Sequence, residues 1–110
     1  MKAAIFHAKA IETLRAFPED ARREIGKAIR DLQRGLAFGM PLSRPMPSVA
    51  AGVAELRVSD RAGIYRTFYY TKSERGILIF HAFAKKARKT PLHEIQIAKL
   101  RLREMQNEEE

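Results

Sequence analysis

Val53-Ala54-Glu55-Leu56-Arg57-Val58, Ile64-Tyr65-Arg66-Thr67-Phe68-Tyr69-Tyr70 and Ile77-Leu78-Ile79-Phe80-His81-Ala82-Phe83 are three short runs rich in β-branched and aromatic residues. Such runs, separated by turn-type breaks, read as an antiparallel meander. Ser59-Asp60-Arg61-Ala62-Gly63 and Lys72-Ser73-Glu74-Arg75-Gly76 are the breaks, and each places glycine where a hairpin loop needs a permissive backbone. Lys85, Lys86, Arg88 and Lys89 follow the third run at once. The centre of the chain is therefore expected to be a small sheet with a cluster of cations at the exit of its last strand.

Helical spacing flanks this sheet on both sides. Ala10, Ile11, Leu14 and Phe17 suggest a short amphipathic helix that Pro18 ends. Glu19 and Asp20 are acids at the start of a second helix, where its positive end favours them. Ala21, Ile25, Ala28, Ile29 and Leu32 form one face of that helix, and Gly35 is a plausible terminator. The two helices are expected to form a hairpin over one face of the sheet. Ala3 to Phe6 reads as either a short first strand or helix. Pro91 opens a last helix with a stripe of Leu92, Ile95, Ala98, Leu102 and Met105, and Thr90 can cap it. Glu108, Glu109 and Glu110 form an acidic end expected to fray.

Residues 35–52 hold Pro41, Pro45, Pro47, Gly35, Gly39 and Gly52 with little periodicity. A connection this long is usually functional or mobile. It reads first as a surface loop laid over the core by Met40, Leu42 and Met46. The functional alternative has Arg44 pointing from it into a binding groove.

The 110 residues suit one domain, 1–110, and no internal repeat is present. The chain has no cysteine, so disulfides and thiolate metal sites are excluded. No apolar run is long enough to cross a bilayer, and the N-terminus lacks the apolar run of a signal peptide. A cytoplasmic location is the expectation. The formal net charge of +8 favours a polyanionic partner, nucleic acid or an acidic protein. His7, His81 and His93 are isolated from one another, so no metal site is expected, and no cofactor.

What remains is arginine and lysine around a sheet. Metal-free RNA cleavage uses such groups. The 2′-hydroxyl attacks the adjacent phosphate, and negative charge grows on oxygens that cations must already face. Arginine suits that task because its fork bonds two phosphate oxygens. His81 can exchange protons near neutral pH. A lysine can do so only where neighbouring cations lower its pKa. The expected catalytic set is Arg66, His81, Lys85, Lys86 and Lys89, and the expected RNA-binding set is Arg44, Arg57, Arg61 and Arg88. Each has a structural rival. Arg66 would equally suit an ion pair with Glu55 or Asp60, and His81 between Phe80 and Phe83 a hydrogen-bonded core position. Tyr65, Phe68, Tyr69 and Tyr70 suit the core better than base stacking.

The order of motifs resembles the phage-derived, HigB-like branch of the RelE/ParE toxin superfamily. It runs from Phe17-Pro18-Glu19-Asp20-Ala21-Arg22-Arg23-Glu24-Ile25-Gly26 through the three strand runs to Lys85-Lys86-Ala87-Arg88-Lys89-Thr90-Pro91 and Glu94-Ile95. The resemblance implies an α+β fold, with two N-terminal helices on a small antiparallel sheet and a C-terminal helix. It implies the toxin of a type II toxin–antitoxin pair that cleaves mRNA on the ribosome, with a small helix-turn-helix antitoxin as partner. Arg66 would match the family's phosphate-binding arginine. Val53 and Glu55 stand where the RelE branch proper has lysines, and Leu92 and His93 where some relatives have an acid–base group. The alternatives are a ParE-like gyrase-poisoning toxin and a nucleic-acid-binding accessory protein without catalysis.

Overall fold

The computed structural model describes residues 1–108, so Glu109 and Glu110 of the acidic end lie outside the described residues. The three central runs form β3 (Val53–Ser59), β4 (Ile64–Ser73) and β5 (Gly76–Lys85). They pair antiparallel in sequence order, each joined to the next by a short turn. Before them come β1 (Ala4–Phe6), α1 (Ala8–Ala16), α2 (Glu19–Gln33) and β2 (Ser43–Pro45), and after them α3 (Leu92–Asn107).

Sheet order is β1-β5-β4-β3-β2. The sheet is mixed rather than wholly antiparallel, because β1 runs parallel to β5, Ala4 opposite Ile77. Gly76 makes this approach possible. Its φ is 138°, and a Cβ there would lie 2.3 Å from the carbonyl oxygen of Ala3. That same oxygen accepts from the amide of Ile77 at 2.8 Å. The short edge strand β2 lies inside the connection expected to be a loop.

The helix ends follow their chemistry. Phe17 is extended (ψ 154°), as a residue before proline must be, and this separates α1 from α2. Gly35, at φ 93°, donates to Leu32, and Leu36 donates to Asp31, which closes α2 with a Schellman pair. Pro91, not Thr90, is the residue flanking α3, and it provides no side-chain cap.

The two helices of the hairpin cover one face of the sheet. Leu14, Phe17, Ile25, Ile29 and Leu32 pack there against Leu56, Val58, Tyr65, Tyr69 and Ile79. On the other face α3 sets Ala98, Leu102 and Met105 against Val53, Phe68, Leu78, Phe80 and Phe83. A sheet buried on both faces explains why β5 is apolar along almost its whole length. Each fully buried large side chain contributes on the order of 1.5–3 kcal/mol. Met46 belongs to this second core, whereas Met40 is exposed and does not tie down the connection. No helix among the described residues is long and apolar enough to cross a membrane.

Candidate nucleic-acid interface

The α3-side face of the sheet carries rows of cross-strand neighbours. One row is Arg57–Arg66–Phe83, and the next is Glu55–Phe68–His81. Arg44 on β2 stands opposite Glu55 and extends the second row. Two arginines side by side repel, so something must take up their charge. Two kinds of acceptor do so here.

The first is the segment after β5. Arg66 Nη1 donates to the carbonyl of Lys89 at 3.2 Å, and Arg66 Nη2 donates to the carbonyl of Ala87. Arg57 Nη2 donates to the carbonyl of Arg88 at 2.7 Å. Three consecutive carbonyls are thus bound by two strand arginines. The second acceptor is Glu55, whose Oε1 lies 3.5 Å from Arg57 Nε. Its Oε2 accepts from the hydroxyl of Thr90 at 3.0 Å, which ties the far end of the same segment to β3. Thr90 therefore clamps the segment rather than capping α3. Burial pushes the Glu55 carboxyl up, while the Thr90 hydroxyl and the charges of Arg66, Arg57 and Arg44 pull it down. Burial likewise pulls Arg66 down and Glu55 opposes it. A guanidinium starts so high that Arg66 stays charged.

Arg66 is fully buried, with its guanidinium 5.4 Å above the ring centroid of Phe83. In this conformation it reaches the loop backbone and not the surface. The arginine expected to meet phosphate directly instead anchors the cationic segment, close to the structural rival that involved Glu55. What the anchoring displays is Lys85, Lys86, Arg88 and Lys89, all exposed. Beside them a groove of about 450 Å³ opens between the connection and the sheet. Met40, Leu42 and Ile64 form apolar parts of its wall, and Arg57 and Arg88 the cationic parts. The structure thus gathers Arg57 and Arg88 at one groove. Arg44 is exposed on β2 but does not line it, and Arg61 is exposed in the β3–β4 turn.

His81 is held elsewhere. It is buried between β5 and α3, with Phe68 and Phe83 rings beside it. Arg101 Nη1 donates to His81 Nδ1 at 2.8 Å, so that nitrogen carries no proton. His81 Nε2 then donates to Glu94 Oε1 at 2.8 Å. Burial lowers the His81 pKa below its ordinary 6.5, the charge of Arg101 adds to this, and the Glu94 hydrogen bond opposes it. Both ring nitrogens are engaged inside the protein, which is the core position that competed with a proton-transfer role. Sequence reading missed Glu94 and Arg101 as its partners. Arg101 lies off the stripe of Leu92, Ile95, Ala98, Leu102 and Met105 on α3, yet it is half-buried and turned toward β5. The available signal was a polar residue opposite an inward-facing strand histidine, and no local pattern supplies that pairing.

Among the described residues, no group of three or more histidine or acidic side chains is placed to hold a metal ion.

This architecture is shared with a known class. The crystal structure of the isolated E. coli RelE toxin superposes with a TM-score of 0.55 at 15% identity, covering 91% of this chain and 99% of that one. At that identity the likeness establishes the fold, a RelE-like α+β fold. The sequence itself matches the phage derived protein Gp49-like family over residues 12–103, and the chain belongs to that family. The family match bears out the expected phage-derived family, and the structural likeness bears out the expected RelE-like fold. Among curated proteins, none matches the sequence significantly.

Proposed function

We propose that this protein is the toxin of a type II toxin–antitoxin pair and a metal-independent endoribonuclease that acts on ribosome-associated mRNA in the cytoplasm. One observation carries the reading. A run of exposed cations is held in place by three backbone carbonyls bonded to two strand arginines, beside an open groove. Fixing cations before the substrate arrives is what stabilisation of a developing phosphorane charge requires. A solvated surface turn would have no need of two buried arginines beneath it.

The roles then divide by exposure. Lys85, Lys86, Arg88 and Lys89 face the RNA, with Arg44 and Arg61 as outlying phosphate contacts. Arg57 is mostly buried but borders the groove, and it both positions the loop and adds positive potential. Arg66 is a positioning residue that acts through the loop. In the reaction the 2′-oxygen bonds to phosphorus as the bond to the 5′-oxygen breaks. The 2′-proton passes to a base, and the departing 5′-oxygen gains a proton. A protonated lysine of the segment is the group at hand for the second of these transfers, since His81 is engaged internally. The RelE-like fold and the Gp49-like family support the toxin reading, with a small helix-turn-helix antitoxin as the partner.

Induced expression followed by primer extension on cellular mRNA tests this. Wild type should give discrete new 5′ ends, and a variant with Lys85, Lys86 and Lys89 changed to alanine should give none. Growth arrest without new mRNA ends would refute the ribonuclease reading.

A further inference from the structure

The connection between α2 and β3 is held in shape where it passes the sheet. The Ser43 amide donates to the Gly39 carbonyl at 3.0 Å, which closes a tight turn over residues 39–43. The Arg57 amide donates to the Leu42 carbonyl at 2.8 Å and ties that turn to β3. Met40 is displayed from the turn, 65% exposed, and neither core uses it.

Met40 instead forms one wall of the groove of about 450 Å³, together with Leu42 and Ile64. Pockets for small ligands run from roughly 300 to 1,000 Å³. Arg57, Ser59 and Arg88 supply the polar groups of this one, and no acidic side chain lines it. Arg57 Nε faces Glu55 and Arg57 Nη2 donates to the Arg88 carbonyl, so Arg57 Nη1 is left without a partner among the described residues. Arg88 is engaged there through its backbone carbonyl, which leaves its own guanidinium free. A guanidinium donates hydrogen bonds and never accepts them. The groove is therefore apolar along one wall and offers donors along the other.

We infer that this groove seats one unstacked base of a single-stranded RNA and selects the keto bases, guanine and uracil, over the amino bases, adenine and cytosine. The face of the base lies on Met40, Leu42 and Ile64, where the methionine sulfur makes a favourable contact with an aromatic ring. Its edge turns to the guanidinium groups of Arg57 and Arg88. Guanine O6 and uracil O4 accept hydrogen bonds, whereas the amino groups of adenine and cytosine at the same place donate them. Donors facing donors leave both unpaired, and that mismatch is the source of the selection. The Ser59 hydroxyl both donates and accepts, so it does not discriminate. Lys85, Lys86 and Lys89, exposed on the adjoining segment, meet the phosphates on either side of the base. An acidic peptide would satisfy the arginines but bring no flat apolar face to the opposite wall. The inference rests on the reading of residues 85–89 as an RNA-binding surface, and it adds a base-selective subsite to that surface.

The test uses the whole protein and hexanucleotides that are 2′-O-methylated throughout, which prevents cleavage and makes binding the readout. Each strand carries one base, guanine, uracil, adenine or cytosine, among abasic positions, and a wholly abasic strand is the control. Fluorescence anisotropy should show guanine and uracil strands binding at least fivefold more tightly than adenine, cytosine and abasic strands. NMR shifts should appear on the methyl groups of Met40, Leu42 and Ile64 with the first two strands. Met40→Ala should weaken those two strands at least threefold and leave the abasic strand as it was. Arg88→Gln should weaken every strand and bring the keto preference below twofold, because an amide both donates and accepts. Equal binding of all five strands, or shifts confined to residues 85–89, would overturn the subsite and leave the ribonuclease reading standing. Base-selective binding by a protein that produces no new mRNA ends in cells would refute the ribonuclease reading and support the subsite. Absence of binding by every strand, or a glutamate-rich peptide shifting the groove methyl groups where no strand does, would overturn the proposal.

Discussion

Arg57 and Arg66 face each other directly across the β3–β4 ladder, and both donate to the backbone of the same loop. Two like charges in register cost energy unless acceptors lie between or above them. Here the acceptors are the carbonyls of Ala87, Arg88 and Lys89, with Glu55 alongside. The repulsion is thereby turned into an anchor. The same loop then carries its own cations outward.

Arg66→Ala removes the donor to two loop carbonyls and part of the compensation of buried Glu55. A loss of about 2–4 kcal/mol of stability is expected. Amide exchange over residues 86–90 should accelerate and growth inhibition should disappear. Arg66→Lys keeps the charge but cannot span two carbonyls, so it should restore only part of the loop protection. An alanine variant that melts like wild type and remains fully toxic rules out the anchoring role.

Replacing Lys85, Lys86 and Lys89 together should leave the melting temperature within a few degrees of wild type, because all three are exposed. RNA binding should weaken and its salt dependence flatten. Three lost phosphate contacts to a single strand reduce the log–log slope by about 2. An unchanged slope would remove these lysines from the interface.

Stability should fall as the solution is acidified through the ordinary histidine range, and His81 is the cause to test. Its folded pKa lies below 6.5, chiefly through burial, with Arg101 and His93 adding and Glu94 opposing. Below about pH 6.5 the unfolded chain takes up a proton that the folded chain refuses. The stability present above that value is lost as the pH falls toward the folded pKa, and the loss then levels off. Urea midpoints between pH 7.5 and 5 should slope less for His81→Gln than for wild type. Parallel slopes would show that His81 does not titrate as its surroundings suggest.

Gly76→Ala places a methyl group against the Ala3 carbonyl and forces a side chain onto left-handed backbone. The expected cost is about 2–4 kcal/mol, combining backbone strain with overpacking. Fast exchange at the Ile77 amide should mark the lost β1 pairing, whereas Gly26→Ala should show neither effect. Wild-type stability in Gly76→Ala would mean that β1 is not held as the structure places it.

Periodicity and punctuation were enough to read most of the fold from the sequence. The meander, the helical hairpin stopped by Pro18 and Gly35, and the last helix after Pro91 all follow from local patterns. Those patterns are local because helix and strand periods depend on neighbours a few residues away. The cation run at the end of the last strand was legible for the same reason. Tertiary structure alone decided that β1 joins parallel to β5, since a strand of three residues has no periodicity to read. It alone decided that Arg66 turns inward to the carbonyls of Ala87 and Lys89, and that Thr90 bonds Glu55. It also gave His81 to Glu94 and Arg101, on a helix that begins after the loop. An arginine in a strand carries the same charge whether it meets a phosphate or a carbonyl. Which acceptor it finds depends on residues far along the chain, and only their folding together brings one of them within hydrogen-bond reach.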